Sequence, residues 1–250
     1  MSPLWIIAKR EFRSYFDSPL AYVVICLSYF GLGLMFFTDT VGASFWKVDK
    51  ASLTDLFVYV GPGLSALVVP VVTMALVAEE RRSGTLEMLI TLPVKDSDVI
   101  LGKYLGALGL VLTLLLALLI YPIAMFYTPW HLGNLDWGPV RSAIMGLVLF
   151  SAASVAIGLL ISSLVRSQAV AFFVTFFVLV VLWILGSLTD YVGQELSHGL
   201  ANVMGYISFN SRLQGFIRGL VDTRDIVFFI SVTLLALVFS FRALERRKWA

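Results

Sequence analysis

The sequence predicts an all-α integral membrane protein with six transmembrane helices, and three observations lead to this prediction. Of the 250 residues, 59% are hydrophobic and only 14% are charged, and the mean hydropathy is +0.92, well above that of soluble domains. A bilayer core needs about 20 consecutive apolar residues per helix, and the chain contains six runs near that length. Because six spans use about half of the chain, we expect one transmembrane domain over residues 1–250, without a second soluble domain.

The six spans are placed on the apolar runs, and the last one is extended into its flanking residues because its run is short. They cover residues 20–38, 56–78, 101–127, 142–165, 167–189 and 224–242. With a cytoplasmic N-terminus, the inside segments carry 12 lysines and arginines and the outside segments carry 6. The positive-inside rule therefore predicts that both termini are cytoplasmic. The net charge of +2 follows from this topology and does not favour nucleic-acid binding.

Residues 3–17 form the first non-spanning segment, with an amphipathic helical pattern. The apolar members are Trp5, Ala8, Phe12, Tyr15 and Phe16, and Lys9, Arg10 and Arg13 lie mostly elsewhere around the helix. This pattern predicts an interface helix on the inner leaflet. A basic, disordered tail is the alternative.

Residues 194–221 are too apolar for an ordinary loop. A helical repeat follows Ser211, which is a suitable N-cap residue. The repeat consists of Leu213, Phe216, Ile217 and Leu220, and further apolar residues precede it. We therefore expect two short re-entrant helices in the outer leaflet, packed on the bundle and facing the membrane core or a second half of the protein. A seventh span is disfavoured by Arg212 and Arg218.

The six apolar runs, which for the third and last spans are residues 104–130 and 226–241, contain no Asp, Glu, Lys, Arg or His. Ionisable groups inside the membrane are usual in ion-coupled transport. The chain also lacks the HExxH and GxSxG motifs of hydrolases and the GxxxxGK[ST] phosphate loop. These observations disfavour an enzyme, and any energy for transport has to come from a partner. An ion-coupled carrier or an energy-independent scaffold is the alternative.

One long polar stretch separates the second and third runs. It reads EERRSGTLEMLITLPVKDSDVILGK from Glu79 to Lys103. Gly84 and Pro93 bracket a short helix, 84–92, with three apolar residues on one face. An apolar face with a charged rim is typical of a protein contact, whereas a solvated turn is the alternative. Ser83 is expected to cap this helix, and Asp96 or Ser97 to cap the next one.

The run EERRSGTLEMLITLPV followed by ILGKYLG resembles the signature of the ABC-2 type permeases. The similarity extends over the basic interface helix, the six spans and the paired outer helices. Three further segments resemble the gliding-motility-associated permease branch, which is related to the copper-site-maturation permeases of nitrous oxide reductase clusters. They are GPGLSALVVPVVTM, GNLDWG and GLVDTRD. The resemblance implies the fold of type V exporters and a bacterial inner-membrane location.

The resemblance also implies a role for the segment at 84–92, which would be a coupling helix seated in a cytoplasmic ABC ATPase dimer. The residues expected to contact the ATPase are Glu80, Arg81, Gly84, Thr85, Leu86, Glu87 and Leu89. The chain itself would bind no cofactor, since ATP and Mg would bind to the ATPase. Two permease halves, identical or different, would convert ATP hydrolysis into export or into force on periplasmic partners.

On the outer face, the resemblance implies an auxiliary membrane protein with a large periplasmic domain. Asn210, Arg212 and Arg218 are expected to meet such a partner or lipid headgroups.

Overall fold

The computed structural model describes residues 3–37, 54–84, 95–121, 123, 136–192 and 198–245, and this part of the chain contains helices and no β-strand. The helices are α1 (Pro3–Asp17), α2 (Pro19–Phe37), α3 (Thr54–Gly63), α4 (Val69–Thr73), α5 (Ala78–Ser83), α6 (Asp96–Leu118), α7 (Trp137–Leu164), α8 (Gln168–Val192), α9 (His198–Ile207), α10 (Phe209–Ile217) and α11 (Thr223–Glu245). A π-helical turn, Leu64–Val68, joins α3 to α4. The all-α fold class is confirmed.

Five helical stretches in the described part of the chain are long and apolar enough to cross a membrane. They are Leu56–Ser83, Asp96–Leu118, Trp137–Leu164, Gln168–Leu188 and Thr223–Glu245. A sixth candidate arises only if α1 and α2 count as one span bent by 71°. The complete six-span arrangement therefore stays a prediction.

Proline accounts for the separation of α1 from α2. Pro19 is the first residue of α2, where its missing N–H would be unpaired in any case. The same ring disfavours helical geometry at the preceding residue, so that α1 ends at Asp17 and Ser18 forms a bend. The sharp angle between the two helices follows from this local conflict.

The second span is irregular at two places. Pro62 lies inside α3 and precedes the π turn, as is common where proline removes a helical hydrogen bond. Residues 74–77 form a turn between α4 and α5. Beyond this turn the helix continues to Ser83, past the predicted end at 78. The next helix begins at Asp96, before the predicted start at 101.

Helix α7 lies at the centre of the bundle and contacts α3, α4, α5, α6, α8, α10 and α11. Its small residues allow close packing within the chain: Gly146 faces Phe216 of α10, and Gly158 faces Thr73 of α4. The fully buried Phe150 makes edge-to-face contacts with Trp183, Phe209 and Phe229, at centroid distances of 5.8, 5.6 and 6.3 Å. Aromatic pairs of this geometry add to the apolar burial.

The two short helices predicted before the last span are present as α9 and α10, with two corrections. The N-cap of α10 is Ser208, whose hydroxyl accepts a hydrogen bond from Ser211 N at 3.3 Å. Leu220 lies beyond the helix and is 67% exposed, because the chain turns at Gly219, where φ is +90°. The other three residues of the repeat are buried in the chain itself, so the expectation that they face lipid or another half is wrong; they are Leu213, Phe216 and Ile217.

Candidate functional site

The polar stretch between the second and third spans begins on α5 and ends on α6. Gly84 has a φ of +73° and forms the left-handed C-cap of α5, a conformation that glycine adopts without strain. The Ser83 hydroxyl donates to the Glu79 carbonyl at 2.9 Å, within the turn that ends α5. Residues 85–94 lie outside the described part, and with them four expected contact residues: Thr85, Leu86, Glu87 and Leu89.

The helix that follows begins differently from the prediction. Its N-cap residue is Lys95, which has an extended backbone and makes no side-chain cap hydrogen bond. Asp96 and Asp98 instead lie in the first helical turn, where carboxylates interact favourably with the helix dipole. We call the end of the bundle formed by the end of α5 and the start of α6 the basal end.

Four charged side chains meet at the basal end, and we call them the basal ion cluster: Arg10, Glu11, Glu80 and Lys103. The Lys103 side chain is only 2% exposed, and its Nζ lies 2.7 Å from Glu80 Oε1 and 3.2 Å from Glu11 Oε1. Arg10 lies 3.0 Å from Glu11 and 4.0 Å from Glu80. The formal charges of the four groups balance, as the burial of a lysine requires. The cluster connects α1, α5 and α6.

Helix α1 packs closely on α6 because glycines leave room for it. A Cβ at Gly102 would lie 2.7 Å from the Ile7 side chain, and one at Gly106 would lie 2.6 Å from Glu11 Cβ. This close approach brings Glu11 to Lys103. The apolar face predicted for α1 therefore contacts protein over Ala8 and Phe12, whereas Trp5 is 55% exposed.

Two further side chains of α5 are bound to the other side of the bundle. The Arg81 guanidinium donates to the Val165 carbonyl at 3.1 Å, at the end of α7. At the start of α8, the Gln168 side-chain amide donates to the carboxylate of Glu79. Helix α5 is thus connected to the α7–α8 junction as well as to α1 and α6.

The turn before α5 is completed by a serine from α7. The fully buried Ser162 hydroxyl accepts from the backbone amides of Val77 and Ala78 at 3.1 and 3.2 Å. It also donates to the Met74 carbonyl at 3.3 Å. Since buried backbone groups need partners, this single hydroxyl stabilises the break between α4 and α5.

Tyr15 connects α1 to the second span. Its hydroxyl donates to the Val72 carbonyl of α4 at 2.8 Å. Burial and, secondarily, the nearby Glu11 carboxylate raise the pKa of Tyr15 above its ordinary value. The phenol therefore stays protonated and remains a hydrogen-bond donor at physiological pH.

Sequence reasoning missed five residues as parts of this site: Arg10, Glu11, Lys103, Ser162 and Gln168. A signal was present for Glu11, because a lysine that follows Gly102 at the start of an apolar helix needs an anion if it is buried. The identity of that anion depends on the packing of α1, which the charge pattern alone does not give.

The residues expected on the outer face have clear positions. Arg212 donates to the Asp225 carboxylate at 2.6 Å, and its guanidinium stacks 4.1 Å above the centre of the Tyr206 ring. Arg218 is exposed and donates to the Gln214 side chain at 3.3 Å. Asn210 Nδ2 lies 3.5 Å from the Ser187 hydroxyl. Arg212 thus joins α10 to α11, and contact of these residues with a partner or headgroups stays a prediction.

The helices of spanning length define a multi-pass membrane protein. A family model described as ABC-2 family transporter protein matches residues 47–242, and the chain therefore belongs to the ABC-2 transporter family. The matched residues include helices α3 to α8 and the two short helices α9 and α10. Glu80 and Lys103 of the basal ion cluster therefore lie within the match. Permeases of this family are generally not catalytic themselves and generally work with a cytoplasmic ABC ATPase. No curated protein sequence matches the chain significantly.

Proposed function

We propose that this chain is the transmembrane permease subunit of an ABC transporter, and that the segment at 84–92 passes the motion of a separate ATPase dimer to the basal end. The observation that carries the proposal is the set of contacts around α5. The six residues of this helix lead directly into the segment. They are joined to α1 and α6 through Glu80, and to α7 and α8 through Arg81 and Glu79.

These contacts suit a helix that transmits displacement. Separating a buried ion pair leaves a charge without a partner and is costly, so α5 cannot shift far unless α6 and α1 move with it. A push on the segment after Gly84 would therefore reach several helices at once. The turn at residues 74–77 provides a place where the second span can bend.

A cleft at the start of α6 supports the basal end as a partner-binding face. A cleft of about 530 Å³ lies between the start of α6 and the end of α11. It is lined by Lys95, Asp96, Ser97, Val238, Phe241, Arg242 and Glu245. Both signs of charge next to apolar side chains are typical of the rim of a protein interface.

Two six-helix halves and two ATPase subunits would form the working assembly, with ATP and Mg bound by the ATPases. Large apolar surfaces are available for a second half or for lipid on α8 and α11, whose spanning windows are 22% buried, against 61% for α6 and α7. The output would be export, or force on a periplasmic partner. We place the protein in the bacterial inner membrane with both termini cytoplasmic.

The ion-coupled alternative gains no support from the basal ion cluster. Glu80 lies close to the end of its helix at Ser83, and Lys103 lies near the start of α6 at Asp96. Carriers that use charged side chains hold them within the membrane along the substrate pathway. A cluster at the helix ends fits the anchoring of a connector better.

A matched pair of Leu→Asp variants tests the proposed contact. Leu86 belongs to the segment, whereas Leu220 is exposed on the loop before α11, at the other end of the bundle. We expect Leu86→Asp to keep the melting temperature of the parent and to lose co-purification of the ATPase, because a charge would enter an apolar contact. Leu220→Asp should retain the ATPase. Equal recovery of the ATPase by Leu86→Asp and the parent would refute the assignment.

The auxiliary protein on the outer face is tested with Arg218 alone, because replacing Arg212 would break the ion pair with Asp225. If Arg218 binds a periplasmic domain, Arg218→Glu should reduce recovery of that protein and leave recovery of the ATPase unchanged. Arg224→Glu is the matched control, since Arg224 is also exposed and lies in the first turn of α11, six residues after Arg218. Unchanged recovery in both variants would assign Arg218 to the lipid interface.

A further inference from the structure

An apolar cavity of about 220 Å³ lies between α2, the π turn and α6. On α6 it is lined by Leu114, Leu115 and Leu118, near the end of the helix, whereas Lys103 lies near its start. The cavity therefore lies far from the basal ion cluster along the bundle. None of the residues that line the cavity takes part in the polar contacts of α5 at the basal end.

The wall of the cavity offers almost no free polar atoms. Its lining is dominated by leucine, valine and glycine, and the Ser28 hydroxyl already donates to the Val24 carbonyl at 2.7 Å. Apolar cavities do not hold water: a cavity of about 150 Å³ in another protein stays dry and binds benzene. A hydrocarbon group is therefore the chemistry that this larger cavity fits.

The cavity also reaches from the surface of the bundle into its interior. Leu27, in its wall, is 51% exposed. Leu64 and Leu115, in the same wall, are only 3% and 4% exposed. A long, thin apolar group that enters beside Leu27 would thus contact residues that are otherwise inaccessible.

Two glycines show that the chain leaves this space open. A Cβ added at Gly31 of α2 or at Gly63 of α3 would meet no atom within 4 Å, and both residues line the cavity. The π turn starts directly after Gly63, and π-helical turns are frequent at functional sites. An empty cavity is destabilising in proportion to its volume, which favours an occupant.

We propose that this cavity binds one acyl chain of a bilayer phospholipid, inserted between α2 and the π turn. The depth of the site supports this occupant, because the π turn and α6 belong to stretches of spanning length and are surrounded by hydrocarbon in the membrane. The cavity would bind the acyl chain of the lipid, and the headgroup would stay outside the cavity.

The test uses the full-length protein in nanodiscs of phosphatidylethanolamine and phosphatidylglycerol that contain a phospholipid with a diazirine in its acyl chain. After photolysis, labelled peptides are mapped by mass spectrometry. We expect label on Leu64 and Leu115, in addition to exposed residues of α8 such as Phe177, which is 60% exposed. Label on Phe177 without label on Leu64 and Leu115 would overturn the proposal.

Filling the cavity provides the matched comparison. The variant Gly31→Leu with Gly63→Ala places side chains in the open space, and we expect labelling of Leu64 and Leu115 to fall severalfold while labelling of Phe177 is unchanged. Gly205→Leu is the control, because a Cβ at Gly205 also meets nothing within 4 Å but lies outside the cavity. Equal labelling of Leu64 and Leu115 in parent and filled variant would contradict the site.

A melting experiment covers the case in which the filled variant folds poorly. In lipid-free detergent, added phospholipid should raise the melting temperature of the parent and of Gly63→Ala, with a smaller rise for Gly63→Ala because its extra methyl group takes part of the space. An equal rise in both would count against an occupied cavity. Loss of self-association in the filled variant, with unchanged labelling, would reassign the surface to a contact between two copies.

Discussion

The two ends of the second span are held in different ways. At the basal end, α5 is fixed by directional polar contacts: Glu80 to Lys103, Arg81 to the Val165 carbonyl, and the Ser162 hydroxyl to the amides before it. Towards the other end, residues 62–68 pack through apolar surface and border a cavity of about 220 Å³. One helix thus joins a fixed end to an end with free space.

The difference has a physical consequence for motion. Hydrogen bonds and ion pairs weaken steeply as their geometry is lost, so α5 is expected to move as a unit with its partners. Apolar contacts are not directional, and a cavity lets neighbouring side chains shift. We therefore expect displacement applied at the basal end to be absorbed at the 74–77 turn and near the π turn. Substitutions at the two ends should therefore differ in effect, most strongly at the buried charges and least at the glycines near the π turn.

The largest effect is expected at Lys103. Lys103→Met would remove the buried cation between Glu11 and Glu80 and leave them only Arg10, whose side chain is 59% exposed. Removing one partner of a buried ion pair typically costs about 3–5 kcal/mol. The variant should melt well below the parent in the same detergent, and ATPase activity of the assembled complex should no longer respond to the permease. Circular dichroism melting and ATP hydrolysis by the complex measure the two effects.

A variant without the three less exposed charges distinguishes lost packing from unpaired charge. Combining Lys103→Met with Glu11→Gln and Glu80→Gln removes these charges together and leaves only Arg10, whose side chain is 59% exposed. Replacing the buried partners of an ion cluster together is often close to neutral. The triple variant should recover most of the lost stability. If Lys103→Met alone melts like the parent, the cluster does not fix the basal end.

The sequence predicted the helices better than the contacts that hold them. Apolar runs long enough for a bilayer are a strong local signal, and α2, α7 and α8 lie within a few residues of their predicted spans, apart from the earlier start of α7 at Trp137. The main errors lie at polar ends. The second span continues to Ser83 because Glu79, Glu80 and Arg81 find partners inside the chain.

The contacts of the candidate site depend on residues that are far apart in sequence. Lys103 and Glu11 are separated by 92 positions, and Val77 and Ser162 by 85. No periodic pattern links such pairs. The π turn also escaped prediction, since Pro62 indicates a bend but not which hydrogen-bonding pattern replaces the regular helix. Local chemistry therefore defined the elements, and tertiary packing defined the site.

The second prediction concerns the serine that completes the helix break. Ser162→Ala would leave the buried amides of Val77 and Ala78 without their acceptor, at a cost of about 1–3 kcal/mol for each unsatisfied group. Hydrogen exchange at residues 77–83 should accelerate strongly. Ser163→Ala is the matched control, because the equally buried Ser163 hydroxyl donates to the Leu160 carbonyl of its own helix. Similar exchange in the two variants would show that Ser162 does not anchor α5.

The smallest effects are expected from one methyl group placed at either of two glycines near the π turn. A Cβ at Gly61 would overlap the Trp183 ring, whereas a Cβ at Gly63 meets open space. Overpacking typically costs about 1–3 kcal/mol, so Gly61→Ala should lower the melting temperature.

Gly63→Ala should leave stability unchanged or raise it slightly, because alanine is favoured over glycine in a helix by roughly 0.5–1 kcal/mol and Gly63 has a helical φ of −60°. The two variants differ by two positions in one helix and carry the same chemical change, so propensity alone predicts the same sign for both. Opposite shifts in melting temperature would locate the free space on the Gly63 side of α3. Equal destabilisation by both would mean that this end of the second span is packed as tightly as the basal end, and the contrast between the two ends would then rest on polar contacts alone.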